Sequence, residues 1–78
     1  VVKIYDRMEV LKYIDDYWKR NFISPSIREI GKEFEIGSTS TVFYILRDLE
    51  GGGHIEIIRD VARGIVPMWL KDLIREVE

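Results

Sequence analysis

Ser38-Thr39-Ser40-Thr41-Val42-Phe43-Tyr44-Ile45-Leu46-Arg47-Asp48-Leu49 is the stretch whose reading decides the fold. Val42, Ile45, Leu46 and Leu49 recur at the spacing of one helical face, so they form a single stripe to be buried. The opening turn carries hydroxyls where helices usually place charges, and the remaining face turns Ser40, Thr41, Phe43, Tyr44 and Arg47 outward. Short hydroxyls at a helix start can hydrogen-bond base edges or phosphate oxygens while the backbone comes close, and an arginine adds a charge-assisted anchor. That chemistry suits a helix lying in the major groove of double-stranded DNA. Capping alone would also account for the hydroxyls, so the neighbouring segments decide.

Upstream, Ser26 and Glu29 have the spacing of a capping box, and Ile27, Ile30 and Phe34 supply the inner stripe of a short second helix ending near Phe34. Glu35-Ile36-Gly37 then turns the chain, with Gly37 as the residue free to take positive φ and Ser38 as the cap of the third helix. Two capped helices joined by a short turn containing glycine make a helix-turn-helix. Further upstream, Asp6 and Glu9 repeat the capping-box spacing. The helix they open runs to about Arg20 and packs Met8, Val10, Leu11, Ile14, Tyr17 and Trp18 inward as scaffold. Pro25 holds Ser24 out of the α region, which puts the first loop at residues 21–25.

Downstream, Gly51-Gly52-Gly53 stops the third helix, since each interior glycine costs about 1 kcal/mol relative to alanine. Ile55, Ile57 and Ile58 read as a strand, Gly64-Ile65-Val66-Pro67 as its partner, and Asp60-Val61-Ala62-Arg63 as the hairpin tip. Arg59 and Arg63 flank that tip, where cations would meet phosphate. Residues 68–78 return to helical spacing with Trp69, Leu70, Leu73, Ile74 and Val77 on one face. That face either folds back or pairs with a second copy. The pairing is favoured, because apolar side chains are costly to leave in water and symmetric dimers are the common readers of palindromes. The expected class is α+β, mostly α: a three-helix winged helix-turn-helix over residues 1–67, with a two-stranded β-hairpin wing and an extra amphipathic helix over residues 68–78.

Composition narrows the function. A chain of 78 residues is one small domain that buries roughly 60% of its unfolded surface. With no cysteine and a single histidine, His54, neither a zinc cluster nor a metal cofactor is expected. No apolar run approaches the roughly 20 residues that span a bilayer, so a cytoplasmic protein associated with the nucleoid is the expectation. The formal net charge of −2 opposes general affinity for nucleic acid. Charge acts over a Debye length of about 8–10 Å, however, so an acidic far side can coexist with a docking face. Modest affinity with steep salt dependence follows, with shape and hydrogen bonding carrying the selectivity. Catalysis has no foothold: Asp15 and Asp16 point to different parts of a helix, His54 has no nucleophile beside it, and the glycine run leads into a strand.

From Arg7 to about Val66 the chain resembles the N-terminal winged helix-turn-helix domain of the LexA repressors. The resemblance is carried by Val10-Leu11-Lys12-Tyr13-Ile14, by Ser24-Pro25-Ser26-Ile27-Arg28-Glu29-Ile30-Gly31, by Gly37-Ser38-Thr39-Ser40-Thr41-Val42 with Leu46 and Leu49, and by the wing runs Gly53-His54-Ile55-Glu56-Ile57 and Arg63-Gly64-Ile65. It implies dimeric binding of palindromic operators and repression of DNA-damage response genes. It further implies operator contacts by Ser38, Ser40, Thr41, Tyr44 and Arg47, with Phe43 facing DNA and Arg63 near the backbone; Arg28 and Arg59 complete the DNA-facing candidates. The departures are specific. The family continues into a self-cleaving domain with a serine and lysine pair, whereas here no serine follows Ser40 and Lys71 is the single lysine after the wing, so this chain cannot cleave itself. Three glycines precede the wing in place of one, and Phe43 and Tyr44 replace small polar or charged residues, so the target sequence does not carry over. The final helix stands where a linker is expected, which fits either a stand-alone regulator or a piece cut just past the DNA-binding domain. The competing reading is a winged-helix protein-interaction module, with Phe43 and Tyr44 as one apolar hot spot and Trp69 as another.

Overall fold

A computed structural model describes residues 6–77, with side chains as far as residue 73. Helix α1 spans Arg7–Asn21, α2 Ile27–Glu33 and α3 Thr39–Gly51; strands β1 (Ile55–Ile57) and β2 (Ile65–Pro67) follow, and α4 runs Met68–Val77. The winged helix-turn-helix with an added helix is therefore the observed architecture. Among the described residues no helix is long and apolar enough to cross a membrane.

The helix starts follow their caps. Asp6 accepts from the Met8 N–H at 2.9 Å, although the return bond from Glu9 is absent among the described residues. At α2 the capping box is complete: the Glu29 N–H donates to Ser26 Oγ and the Ser26 N–H to Glu29 Oε1, both at 3.1 Å. Ser38 occupies the N-cap position of α3, but its side chain makes no capping bond.

The helix ends depart further from expectation. Phe22, at φ 59° with its N–H on the Trp18 carbonyl, ends α1 before Pro25 can act. In the turn between α2 and α3 the left-handed residue is Glu35, at φ 56°, and not Gly37. Helix α3 runs through Glu50 into Gly51, past the expected stop. It closes when Gly53, at φ 80°, lets the His54 N–H reach the Leu49 carbonyl and the Gly53 N–H reach that of Glu50. That is the bond pair of a Schellman motif, for which a left-handed glycine is the usual residue.

Val10 and Ile14 from α1, Ile30 from α2, Val42, Leu46 and Leu49 from α3, Ile55 from β1 and Ile65 from β2 form one buried cluster. The α3 stripe is thus inside as its spacing requires, with Ile45 half-buried at its margin. Each of these side chains contributes about 1.5–3 kcal/mol on burial. Tyr13 meets the edge of Phe34 at 5.7 Å between ring centroids and closes the α1–α2 side.

The last helix folds back at its start. The Trp69 indole N–H donates to Asp15 Oδ1 at 3.0 Å, the Lys19 ammonium sits 5.6 Å from its ring centroid, and Lys71 pairs with Glu56 at 3.0 Å. Trp69 thus contacts α1 within the same chain while 39% of its surface stays exposed. Leu70 is half-buried and Leu73 is exposed, while the side chains of Ile74 and Val77 lie outside the described residues.

A two-stranded hairpin is marginal in water by itself. Here β1 and β2 pair antiparallel in the register Ile55↔Pro67, Glu56↔Val66 and Ile57↔Ile65. The last pair turns its backbone groups away from the opposite strand, and both outward edges find partners. The Ile65 N–H donates to Ser24 Oγ at 3.0 Å, and the Ile65 carbonyl accepts from the Trp18 indole at 2.7 Å. On the other edge the Ile57 N–H donates to Glu50 Oε2 at 3.0 Å. The wing is thereby tied to the α1–α2 loop and to the end of α3. Gly64 is required beside this tie, since a Cβ there would lie 2.5 Å from the Ile58 carbonyl oxygen.

Ser24 is 1% exposed, so Ser24→Ala strands a buried N–H. The expected cost is about 1–3 kcal/mol in urea unfolding, whereas Asn21→Ala, at the exposed end of α1, should cost less than about 1 kcal/mol.

Candidate nucleic-acid interface

Burying Val42, Leu46 and Leu49 obliges the other side of α3 to face outward. Ser38, Thr39, Ser40, Thr41, Phe43, Tyr44 and Arg47 are all exposed, Tyr44 at 74% and Phe43 at 41%. A shallow hollow of about 370 Å³ is lined by Thr39, Ser40, Phe43, Tyr44 and Arg47 on α3 and by Ile27 on α2. A second, of about 390 Å³, lies between α3 and the wing, where Ile27, Phe43, Arg47 and Glu50 meet Ile57, Ile58, Arg59, Asp60 and Val61. A third, of about 360 Å³, follows the turn of the helix-turn-helix and is bordered by Arg28, Lys32 and Thr39. The three adjoin along α3 and make one concave strip from α2 to the wing.

Charge on this strip is divided unevenly. Arg28, Arg47 and Arg59 have no ion pair or hydrogen bond from their side chains among the described residues, so their guanidinium groups are free to meet an anion. Arg63 is committed elsewhere. Its Nη1 lies 2.6 Å from Glu29 Oε1, donates to the Ser24 carbonyl at 2.9 Å and reaches the Tyr17 hydroxyl at 3.3 Å. Arg63 thus holds the wing to α1 and α2 while its side chain stays 43% exposed. The cause is Glu29, whose capping position at α2 presents a carboxylate to the returning hairpin. The wing tip instead exposes apolar side chains, Ile58 at 47% and Val61 at 54%, which the strand pattern alone did not single out.

The same carboxylate is perturbed. The Tyr17 hydroxyl donates to Glu29 Oε2 at 2.6 Å, and with the Ser26 bonds and the Arg63 charge it holds Glu29 down at about 2. Burial opposes that shift without reversing it. The partnership also pushes the Arg63 guanidinium upward, first through Tyr17.

The residues singled out for DNA thus fall into two sets. Ser40, Phe43, Tyr44, Arg47, Arg28 and Arg59 line the strip, whereas Ser38, Thr41 and Arg63 are exposed but line none of its three hollows. Ile27 was read only as core of α2, yet it lines all three hollows because its position in the first turn of α2 abuts α3. Its apolar character carries no signal that would separate this role from packing. Among the described residues no group of acids and histidines could hold a metal. His54 is half-buried just before β1, with its backbone N–H and carbonyl both bonded.

Comparison with known proteins adds a second line of argument. A family model of the LexA DNA binding domain matches residues 6–64. The LexA repressor of Herpetosiphon aurantiacus is 41% identical over 63 residues, which cover 81% of this chain and 27% of that protein. The LexA repressor of Roseiflexus sp. is 42% identical over 57 residues, or 73% of this chain and 26% of that protein. The matched segment spans about a quarter of the length of these relatives.

Glu29 ties the wing anchor to pH. Its folded value of about 2 lies below the ordinary 4.5, so its stabilisation is complete above about pH 4.5 and fades as pH falls toward 2. Glu29→Gln is expected to melt lower than the parent at pH 7, with the gap narrowing between pH 4.5 and 2 when circular dichroism is followed on heating.

Proposed function

Because this chain belongs to the LexA DNA-binding domain family, we propose that it is a sequence-specific double-stranded DNA-binding transcriptional regulator, a repressor that occludes promoter DNA. The observation that carries the reading is the exposed α3 face with Arg47, flanked by Arg28 on α2 and Arg59 on the wing, all three unpaired among the described residues. In this reading α3 enters the major groove with Ser40, Thr41, Phe43 and Tyr44 toward base edges, while Ser38, Arg28, Arg47 and Arg59 meet phosphate. Ser38 suits that part because its hydroxyl is not spent on capping. Occlusion needs no chemistry, so the chain is read as a regulator rather than an enzyme. The role implies a cytoplasmic location on the nucleoid.

A palindromic operator read by two copies belongs to the same proposal. With Trp69 and Leu70 folded back, Leu73, 55% exposed, supports pairing through the later turns of α4. The second reading, a protein-interaction surface, draws on the net charge of −2 and on exposed Phe43 and Tyr44. Flow-through on heparin and bulk DNA at low salt would favour it.

Anisotropy titrations on a duplex selected from random DNA test the proposal. Arg47→Ala, Arg28→Ala and Arg59→Ala should each flatten the log-affinity against log-salt slope by about 0.9, whereas Arg63→Ala should lower the melting temperature and leave the slope unchanged. Parental binding at all salts in the first three variants would reject the docking arrangement.

A further inference from the structure

The exposed face of α3 is short of the groups that usually read bases. From Ser38 to Arg47 there is no asparagine, glutamine, aspartate, glutamate or lysine. Bidentate reading of adenine by an amide and of cytosine by a carboxylate is therefore chemically absent from this stretch. Hydroxyls are tolerant readers, and Arg47 is the one side chain there that can grip a guanine edge with two bonds. What remains is apolar. Phe43, 41% exposed, stands with half-buried Ile27 where the hollow over α3 and the hollow toward the wing adjoin, and Arg47 borders both. Among the edges of the four bases in the major groove, the thymine C5-methyl is the apolar group on offer.

We propose that Phe43, backed by Ile27, is a specificity-determining residue that receives thymine C5-methyl groups in the major groove. This assignment rests on the DNA-binding reading above. The aromatic ring and the isoleucine exclude water around the methyl, while Thr39 and Ser40, which line the same hollow, supply a polar rim toward the neighbouring base edges. Selectivity then comes from an apolar contact at thymine, in place of the amide and carboxylate contacts that residues 38–47 lack.

The test uses the full chain and duplexes that it enriches from a random double-stranded pool. Each dT is replaced singly by dU, which deletes the methyl and keeps the Watson–Crick pair. At one or more positions the parent should bind the dU duplex about fourfold more weakly, the scale of one buried carbon group. Phe43→Ala should lose that difference, and Phe43→Leu should retain it. Equal binding of every dU duplex by the parent, or a methyl effect that survives in Phe43→Ala, overturns the assignment while leaving DNA binding intact. A pool that yields no enriched duplex rejects the DNA-binding reading itself, and this assignment with it.

Discussion

The backbone of Ile65 is held from two sides, its N–H by the buried Ser24 hydroxyl and its carbonyl by the Trp18 indole. Most of what distinguishes this molecule from a bare helical trio depends on that clamp. Strands of three residues cannot sustain a hairpin in water, and the wing has a defined position because its edge groups are satisfied by the α1–α2 loop on one side and by Glu50 on the other. Ile65 and Ile55 then reach the same core as Leu46 and Leu49, so wing and α3 are set against each other by shared packing.

That clamp explains how a chain with more acids than bases can still present a docking face. Arg63, which by position in the hairpin is a natural phosphate contact, is drawn inward by Glu29, Tyr17 and Ser24. The pair neutralises itself close to the wing, and among the described residues Arg28, Lys32, Arg47 and Arg59 are left as uncommitted cations along the strip. A surface pair of this exposure contributes little as an isolated bond. Its value here is geometric, because the same carboxylate caps α2, binds Tyr17 and stops the returning strand. Acids elsewhere also have partners, as with Asp48 on Arg7 and Asp15 on the Trp69 indole.

Membership in the LexA DNA-binding domain family sits beside an exposed α3 face with hydroxyls at the start, rings in the middle and one arginine at the end. On the proposed reading, such a face gains selectivity from shape and from desolvating methyl groups more than from counted hydrogen bonds. It is also consistent with the exposed Ile58 and Val61 at the wing tip, which extend the apolar character of the strip beyond α3.

Local pattern determined much of this. The starts of α1 and α2, the buried stripe of α3, the hairpin and the outward-facing hydroxyls all follow from spacing and caps, since each depends on residues within a turn or two of one another. The finer points were decided in three dimensions. Phe22 and Glu35 take left-handed conformations that no glycine marks, α3 runs on into Gly51, and Ser38 leaves its cap unmade. The partners of Arg63 and Trp69 were not legible for one reason: Glu29 and Asp15 are 34 and 54 residues away in the chain, and only packing the helices brings those carboxylates within reach. A charge or a ring shows its type in the sequence, but whether it faces solvent or a partner depends on which distant groups the core draws to its side.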